Sequence, residues 1–136
     1  MADNFILIAE DDADDRFLLQ TAFSENGFSD SLYFVPDGVE LMRFLKEQAD
    51  EAQPAFILLD LNMPKKDGRE VLGEIKSHPQ WQHIPVVIFS TTNNEQEMKR
   101  CYQLGANSYI TKPNSYNHLL EVIAHLRNYW VNASVS

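Results

Sequence analysis

Ala55-Phe56-Ile57-Leu58-Leu59-Asp60 is an unbroken apolar run closed by a carboxylate. A strand covered on both faces reads this way, because neither face has to meet water. Such strands belong to parallel sheets flanked by helices on both sides. Leu61 to Gly68 follows as a loop holding Pro64 and Gly68, and Arg69 to Ser77 takes up helical period through Leu72 and Ile75. Upstream, Phe5 to Ala9 is another buried-strand run, and Asp14 to Glu25 reads as a helix with acids in its first turn and Leu18, Thr21 and Ala22 on one face. Asn26-Gly27 stops it. Leu32 to Val35 is a strand ended by Pro36-Asp37-Gly38, and Val39 to Ala49 a helix with Leu41, Met42 and Leu45 inward. Downstream, Pro85 to Ser90 is a strand that carries its proline at the first position, where a missing N–H matters least. Asn94 to Leu104 is helical up to Gly105, Ser108 to Thr111 is a short strand, and Tyr116 to Val131 is the last helix. Strand and helix alternate about five times. The expected class is α/β: a doubly wound five-stranded parallel sheet with helices on both faces, in a single domain spanning residues 1–136.

The chain of 136 residues suits one core. Its 20 acids against 11 lysines and arginines give a formal charge of -9, which repels nucleic-acid phosphates, so no direct nucleic-acid binding is expected. No apolar run reaches membrane-spanning length, and Met1-Ala2-Asp3-Asn4 does not open a signal peptide, so no membrane association and a cytoplasmic location are expected. Cys101 is the sole cysteine and reads as a small buried thiol. His78, His83, His118 and His125 lack the spacing of a zinc site.

In an open α/β sheet, ligands gather outside the carboxyl ends of the strands. Here the first strand ends in Glu10-Asp11-Asp12, the third in Asp60 and the fourth in Ser90-Thr91, and Lys112-Pro113 follows the fifth. Clustered carboxylates repel one another, and a hard divalent cation resolves the conflict: Mg²⁺ prefers oxygen ligands and is commonly held by one or two carboxylates plus phosphate oxygens. A lysine and a hydroxyl beside them suit phosphate oxygens. These are the parts of a phosphoryl-transfer site, in which an aspartate can itself be the covalent acceptor. Strand-end acids also cap helices, and Asp12, Asp14 and Asp15 are read that way.

The residues now quoted resemble the receiver domain of two-component response regulators, from about Asn4 to Trp130. The motifs are Glu10-Asp11, Asp60-Leu61-Asn62-Met63-Pro64 with Asp67-Gly68, Ser90, and Lys112-Pro113. Asp60 to Leu72 and Tyr129-Trp130 also look like the single-domain regulators that partner bacterial phytochrome-type kinases. The resemblance implies a flavodoxin-like sheet in the order 2-1-3-4-5. It implies Asp60 as phosphoacceptor; Mg²⁺ on Asp11, Asp60 and the Asn62 carbonyl, with Glu10 acting through water; Ser90 and Lys112 on the phosphoryl oxygens; Tyr109 as an aromatic switch that rotates inward; and a cis bond between Lys112 and Pro113. Glu10 stands where the family often has aspartate, and Thr91 where it often has alanine, which threatens to crowd Tyr109.

The resemblance further implies a sensor histidine kinase or histidine phosphotransfer protein as donor and a downstream protein as reader, or onward relay of the phosphoryl group. The surface expected to change is the fourth helix, fifth strand and fifth helix, with Tyr129 and Trp130 as candidate contacts of a homodimer or partner. Trp81 reads as a loop plug. Two other classes stay open. A Mg²⁺-dependent phosphatase of the haloacid dehalogenase type wants a second aspartate two residues after its nucleophile, where this chain has Asn62. A degenerate receiver acting only as a binding module would not need Asp11, Asp60, Ser90 and Lys112 intact.

Overall fold

The computed structural model describes residues 5–28, 32–48 and 53–126. Its elements follow in strict alternation: β1 (Ile6–Ala9), α1 (Ala13–Glu25), β2 (Leu32–Val35), α2 (Gly38–Glu47), β3 (Phe56–Leu59), α3 (Gly68–Ser77), β4 (Val86–Ser90), α4 (Glu95–Gln103), β5 (Ser108–Thr111) and α5 (Tyr116–Leu126). The strands form one parallel sheet in the order β2-β1-β3-β4-β5. The doubly wound arrangement and the strand order expected from the sequence are both present.

Successive strand residues point to opposite faces, so each central strand feeds two cores. Leu7, Ile57, Leu59, Val86 and Ile88 pack with Leu41 and Leu45 of α2, Val71, Leu72 and Ile75 of α3, and Cys101 of α4. Ile6, Ile8, Phe56, Leu58, Val87 and Phe89 pack on the other side, with Leu19 and Phe23 of α1 and Leu119, Ile123 and Leu126 of α5. Each such fully buried side chain contributes roughly 1.5–3 kcal/mol. Cys101 is buried, and burial raises its thiol pKa. Trp81 is also buried, stacked on His78 at 3.7 Å between ring centres, and plugs the turn between α3 and β4 as read.

One inward face differs from the expectation. On α1, Leu18 is 41% exposed, and the buried residues are Leu19, Ala22 and Phe23. Consecutive helix residues are about 100° apart. Moving the buried stripe by one residue brings the Phe23 ring into the core, where Phe28 meets it edge-on at 5.9 Å.

Four helices open on a side-chain cap. Asp12, Asp37, Asp67 and Asn94 accept from backbone N–H groups of the first turns of α1, α2, α3 and α4. Each cap is worth about 0.5–2 kcal/mol. They fix where the helices leave the carboxyl edge of the sheet, and so set the rim of the site. Among the described residues no helix is long and apolar enough to cross a membrane. Tyr129 and Trp130 lie outside the described residues.

Candidate functional site

The parallel register does most of the assembly. Ala9 pairs with Leu59, so the residues that follow them, Glu10 and Asp60, emerge side by side. The Asp60 N–H donates to the Ala9 carbonyl (3.2 Å) and the Glu10 N–H to the Val35 carbonyl (3.1 Å). Ser90 pairs with Thr111, and the Lys112 N–H donates to the Ser90 carbonyl at 2.7 Å. Four strand ends thus bring Glu10, Asp11, Asp60, Ser90 and Lys112 to one edge.

Glu10 (1% exposed), Asp60 (6%) and Ser90 (0%) are buried, while Asp11 is exposed. Carboxylate oxygens of Glu10, Asp11 and Asp60 all lie within 4.8 Å of one another. Asp60 Oδ1 accepts from the Asn62 N–H at 3.1 Å, and Asp60 Oδ2 lies 3.3 Å from Lys112 Nζ. Backbone packs directly behind Asp60. A Cβ on Gly68 would come within 2.7 Å of the Asp60 carbonyl oxygen and of Leu61 Cα, so only glycine lets α3 start this close.

Lys112 Nζ has two further partners, Glu10 Oε1 and Asp15 Oδ2, each at 3.0 Å, and it lies 5.6 Å from the centre of the Phe89 ring. The electrostatics follow from crowding. Burial, then the charge of Asp60, pushes the Glu10 carboxyl up to about 7 against the opposing pull of Lys112. Burial works against the Lys112 ammonium, but Glu10, Asp60 and Asp15 outweigh it and hold the group well above its ordinary value.

Such a set of hard oxygen donors, one of them a buried acid with a raised pKa, fits a divalent cation of the Mg²⁺ class. Asn62 itself is exposed, and its backbone N–H meets Asp60.

Beyond the acids, Ser90 Oγ accepts from the Thr92 N–H at 3.2 Å. Tyr109 is buried at 8% exposure, and its hydroxyl donates to the Thr92 carbonyl at 2.8 Å. Burial leads the causes that raise its phenol pKa. The ring therefore stands inward here. Thr91 is exposed, and it is Thr92 that meets Tyr109.

The cis bond expected between Lys112 and Pro113 is corrected: no cis peptide bond is present among the described residues. The bond is trans, the isomer that X–Pro favours by about 0.5–1 kcal/mol.

Asp15 is the site residue that the sequence reading missed. Of the three acids read as helix caps, Asp12 does the capping, through the Asp15 N–H at 3.0 Å, while the Asp15 side chain turns to Lys112. No spacing in the sequence marks it out, because Asp11 precedes the helix and Asp14 and Asp15 both stand in its first turn.

A family model for the response regulator receiver domain matches residues 6–124. The chain belongs to that family. Among curated proteins, this receiver domain is 38% identical to the response regulator Rcp1 of Synechocystis sp. over 93% of its own length and 88% of that protein's. It superposes on the phosphorylated cyanobacterial phytochrome response regulator RcpA with a TM-score of 0.87 at 40% identity, covering 97% of this chain and 96% of that one. The Mn²⁺-bound form of Rcp1 gives a TM-score of 0.84 at 37% identity, with 94% of each chain covered. The receiver domain is thus related to phytochrome response regulators.

Proposed function

We propose that this receiver domain accepts a phosphoryl group on Asp60 from a phosphohistidine of a sensor kinase or histidine phosphotransfer protein, and loses it by hydrolysis or onward relay. One observation carries the reading: a nearly buried aspartate at a strand end has one oxygen on a backbone N–H and the other 3.3 Å from Lys112. Phosphoryl transfer asks the protein mainly for position and charge neutralisation. The oxygen–phosphorus bond forms on Asp60 as the phosphorus–nitrogen bond breaks; the bonding pair stays on the imidazole, which takes up a proton. Asp11 and Asp60, with the Asn62 carbonyl, would hold Mg²⁺, and Glu10 would act through water. When bound, the ion supplies positive charge to the oxygens of the transferring group. Related proteins support this assignment: RcpA was crystallised phosphorylated and Rcp1 with Mn²⁺.

Lys112 pairs with the new phosphoryl oxygens, and Ser90 donates its hydroxyl to one of them. Ser90 and Tyr109 are both tied to the backbone of Thr92. A shift of Ser90 toward the phosphoryl group therefore moves the anchor of Tyr109, and with it the face formed by α4, β5 and α5. These differential contacts bias the two-state equilibrium that a switch requires. That face is the surface we assign to a downstream protein or a second copy of the chain.

The test is to incubate the protein with acetyl phosphate and Mg²⁺ and to record intact mass and the modified peptide. A phosphoryl adduct on the peptide containing Asp60, absent from Asp60→Asn, is the expected result. No adduct, or an adduct that Asp60→Asn leaves unchanged, overturns the proposal. Asp11→Ala is expected to remove the Mg²⁺ dependence.

A further inference from the structure

Lys112 has three carboxylate partners, and they are not equivalent. Glu10 and Asp60 belong to the cluster that fits a divalent cation; Asp15 does not. With a dication held by that cluster, two of the three partners are shared with it, and the ammonium meets a like charge beside it. Lysine is a flexible point charge on a long stem, and nothing in its own rotamers keeps it over Asp60. Asp15 projects from the first turn of α1, outside the Glu10, Asp11 and Asp60 cluster, with its Oδ2 at 3.0 Å from Lys112 Nζ.

We propose that Asp15 is a positioning residue for Lys112: it anchors the ammonium beside Asp60 when a divalent cation occupies the acidic cluster, so that the lysine is in place for the incoming phosphoryl group. This rests on the phosphoacceptor role proposed for Asp60. A purely structural role for Asp15 is narrow. Asp12 already caps the helix, and an acid in a first helical turn adds only weakly through the helix dipole. The ion pair is also incompletely shielded, since the Asp15 side chain is 38% exposed. Its effect lies in where the lysine stands and not in fold stability.

The test uses the full chain as wild type, Asp15→Asn, Asp15→Glu, Lys112→Ala and the double variant Asp15→Asn/Lys112→Ala. The first readout needs no phosphoryl chemistry. Lysines are acetylated with acetic anhydride, with and without saturating Mg²⁺, and modification at Lys112 is followed by peptide mass spectrometry. Lys112 of Asp15→Asn is expected to label several-fold faster than wild type in Mg²⁺ and close to the wild-type rate without it. Equal labelling of the two proteins in Mg²⁺ overturns the anchor.

The second readout is the rate of adduct formation from acetyl phosphate at saturating Mg²⁺. Asp15→Asn is expected to slow it by about tenfold or more, the scale on which small misplacements act. Asp15→Glu recovers most of the rate. In the Lys112→Ala background Asp15→Asn is expected to cost nothing further, because two residues acting through one contact are non-additive. An equal loss in both backgrounds overturns the proposal. If wild type forms no adduct, the phosphoacceptor assignment falls, and the labelling comparison still decides whether Asp15 anchors Lys112.

Discussion

Glu10 carries the electrostatic strain of the site. It is 1% exposed, next to Asp60, and held at about 7 instead of its ordinary 4.5, first by burial and then by the charge of Asp60. Between those two values the native chain keeps a proton that the unfolded chain has released. Native-state proton excess means that stability falls as pH rises. The contribution of Glu10 is therefore most favourable below about 4.5 and is lost as pH climbs through about 7. In EDTA, wild type is expected to lose melting temperature relative to Glu10→Gln across that window, since glutamine has no proton to lose. Parallel melting curves for the two proteins from pH 5 to pH 8 would refute this origin of the raised pKa. The same crowding explains what was legible at this scale. Glu10, Asp11, Asp60 and Lys112 could be placed at one edge from the sequence because each follows a short strand that fixes where it emerges. Asp15 could not, because its role depends on which way one helical side chain turns, and a neighbouring acid competes for the cap.

Elements with a clear apolar stripe were read with the correct face. Leu41, Met42 and Leu45 on α2 are buried, as are Leu72 and Ile75 on α3. On α1 the apolar residues Phe17, Leu18, Leu19, Ala22 and Phe23 spread around the helix, so periodicity alone does not select the inward side. Tertiary packing decides it, leaving Phe17 67% exposed. A second feature at this scale needed the structure: Arg69, in the first turn of α3, pairs with Glu97 in the first turn of α4 and also with Asp67. It lies next to Gly68, which packs on the backbone of Asp60. This pair ties α4, part of the face assigned above to a partner, to the segment behind Asp60. Partly exposed ion pairs are worth about 0.2–1 kcal/mol, so Arg69→Ala is expected to lower the melting temperature only slightly. Hydrogen exchange is expected to quicken in α4 while the amides of β1 and β3 keep their protection. Unchanged exchange in α4 counts against the strut.

At the scale of the molecule, the fold brings together groups as distant in sequence as Glu10 and Lys112, separated by 102 positions. That was legible because parallel strands share one carboxyl edge, a rule of topology and not of local sequence. The Lys112–Pro113 isomer was not, because neither spacing nor polarity bears on a choice worth so little energy. The edge also sets a conflict between stability and function. Clustered acids in a chain of formal charge -9 oppose folding unless a cation joins them. Asp60→Asn removes one of these charges and keeps an oxygen for the Asn62 N–H, and Lys112 retains Glu10 and Asp15. In EDTA near neutral pH, Asp60→Asn is therefore expected to melt above wild type, by an amount on the order of 1 kcal/mol. Mg²⁺ is expected to reverse much of that difference. An ion that binds only the folded state adds about 2.7 kcal/mol at a hundredfold excess over its Kd, and wild type offers it a complete cluster where Asp60→Asn does not. Differential scanning calorimetry of both proteins across a Mg²⁺ titration reads the two effects together. The expected result is a wild-type melting temperature that climbs with Mg²⁺ toward or past a nearly flat line for Asp60→Asn. Equal stability in EDTA would mean that the acidic cluster is not repulsive, and an equal rise for both proteins that it is not the place where the ion binds.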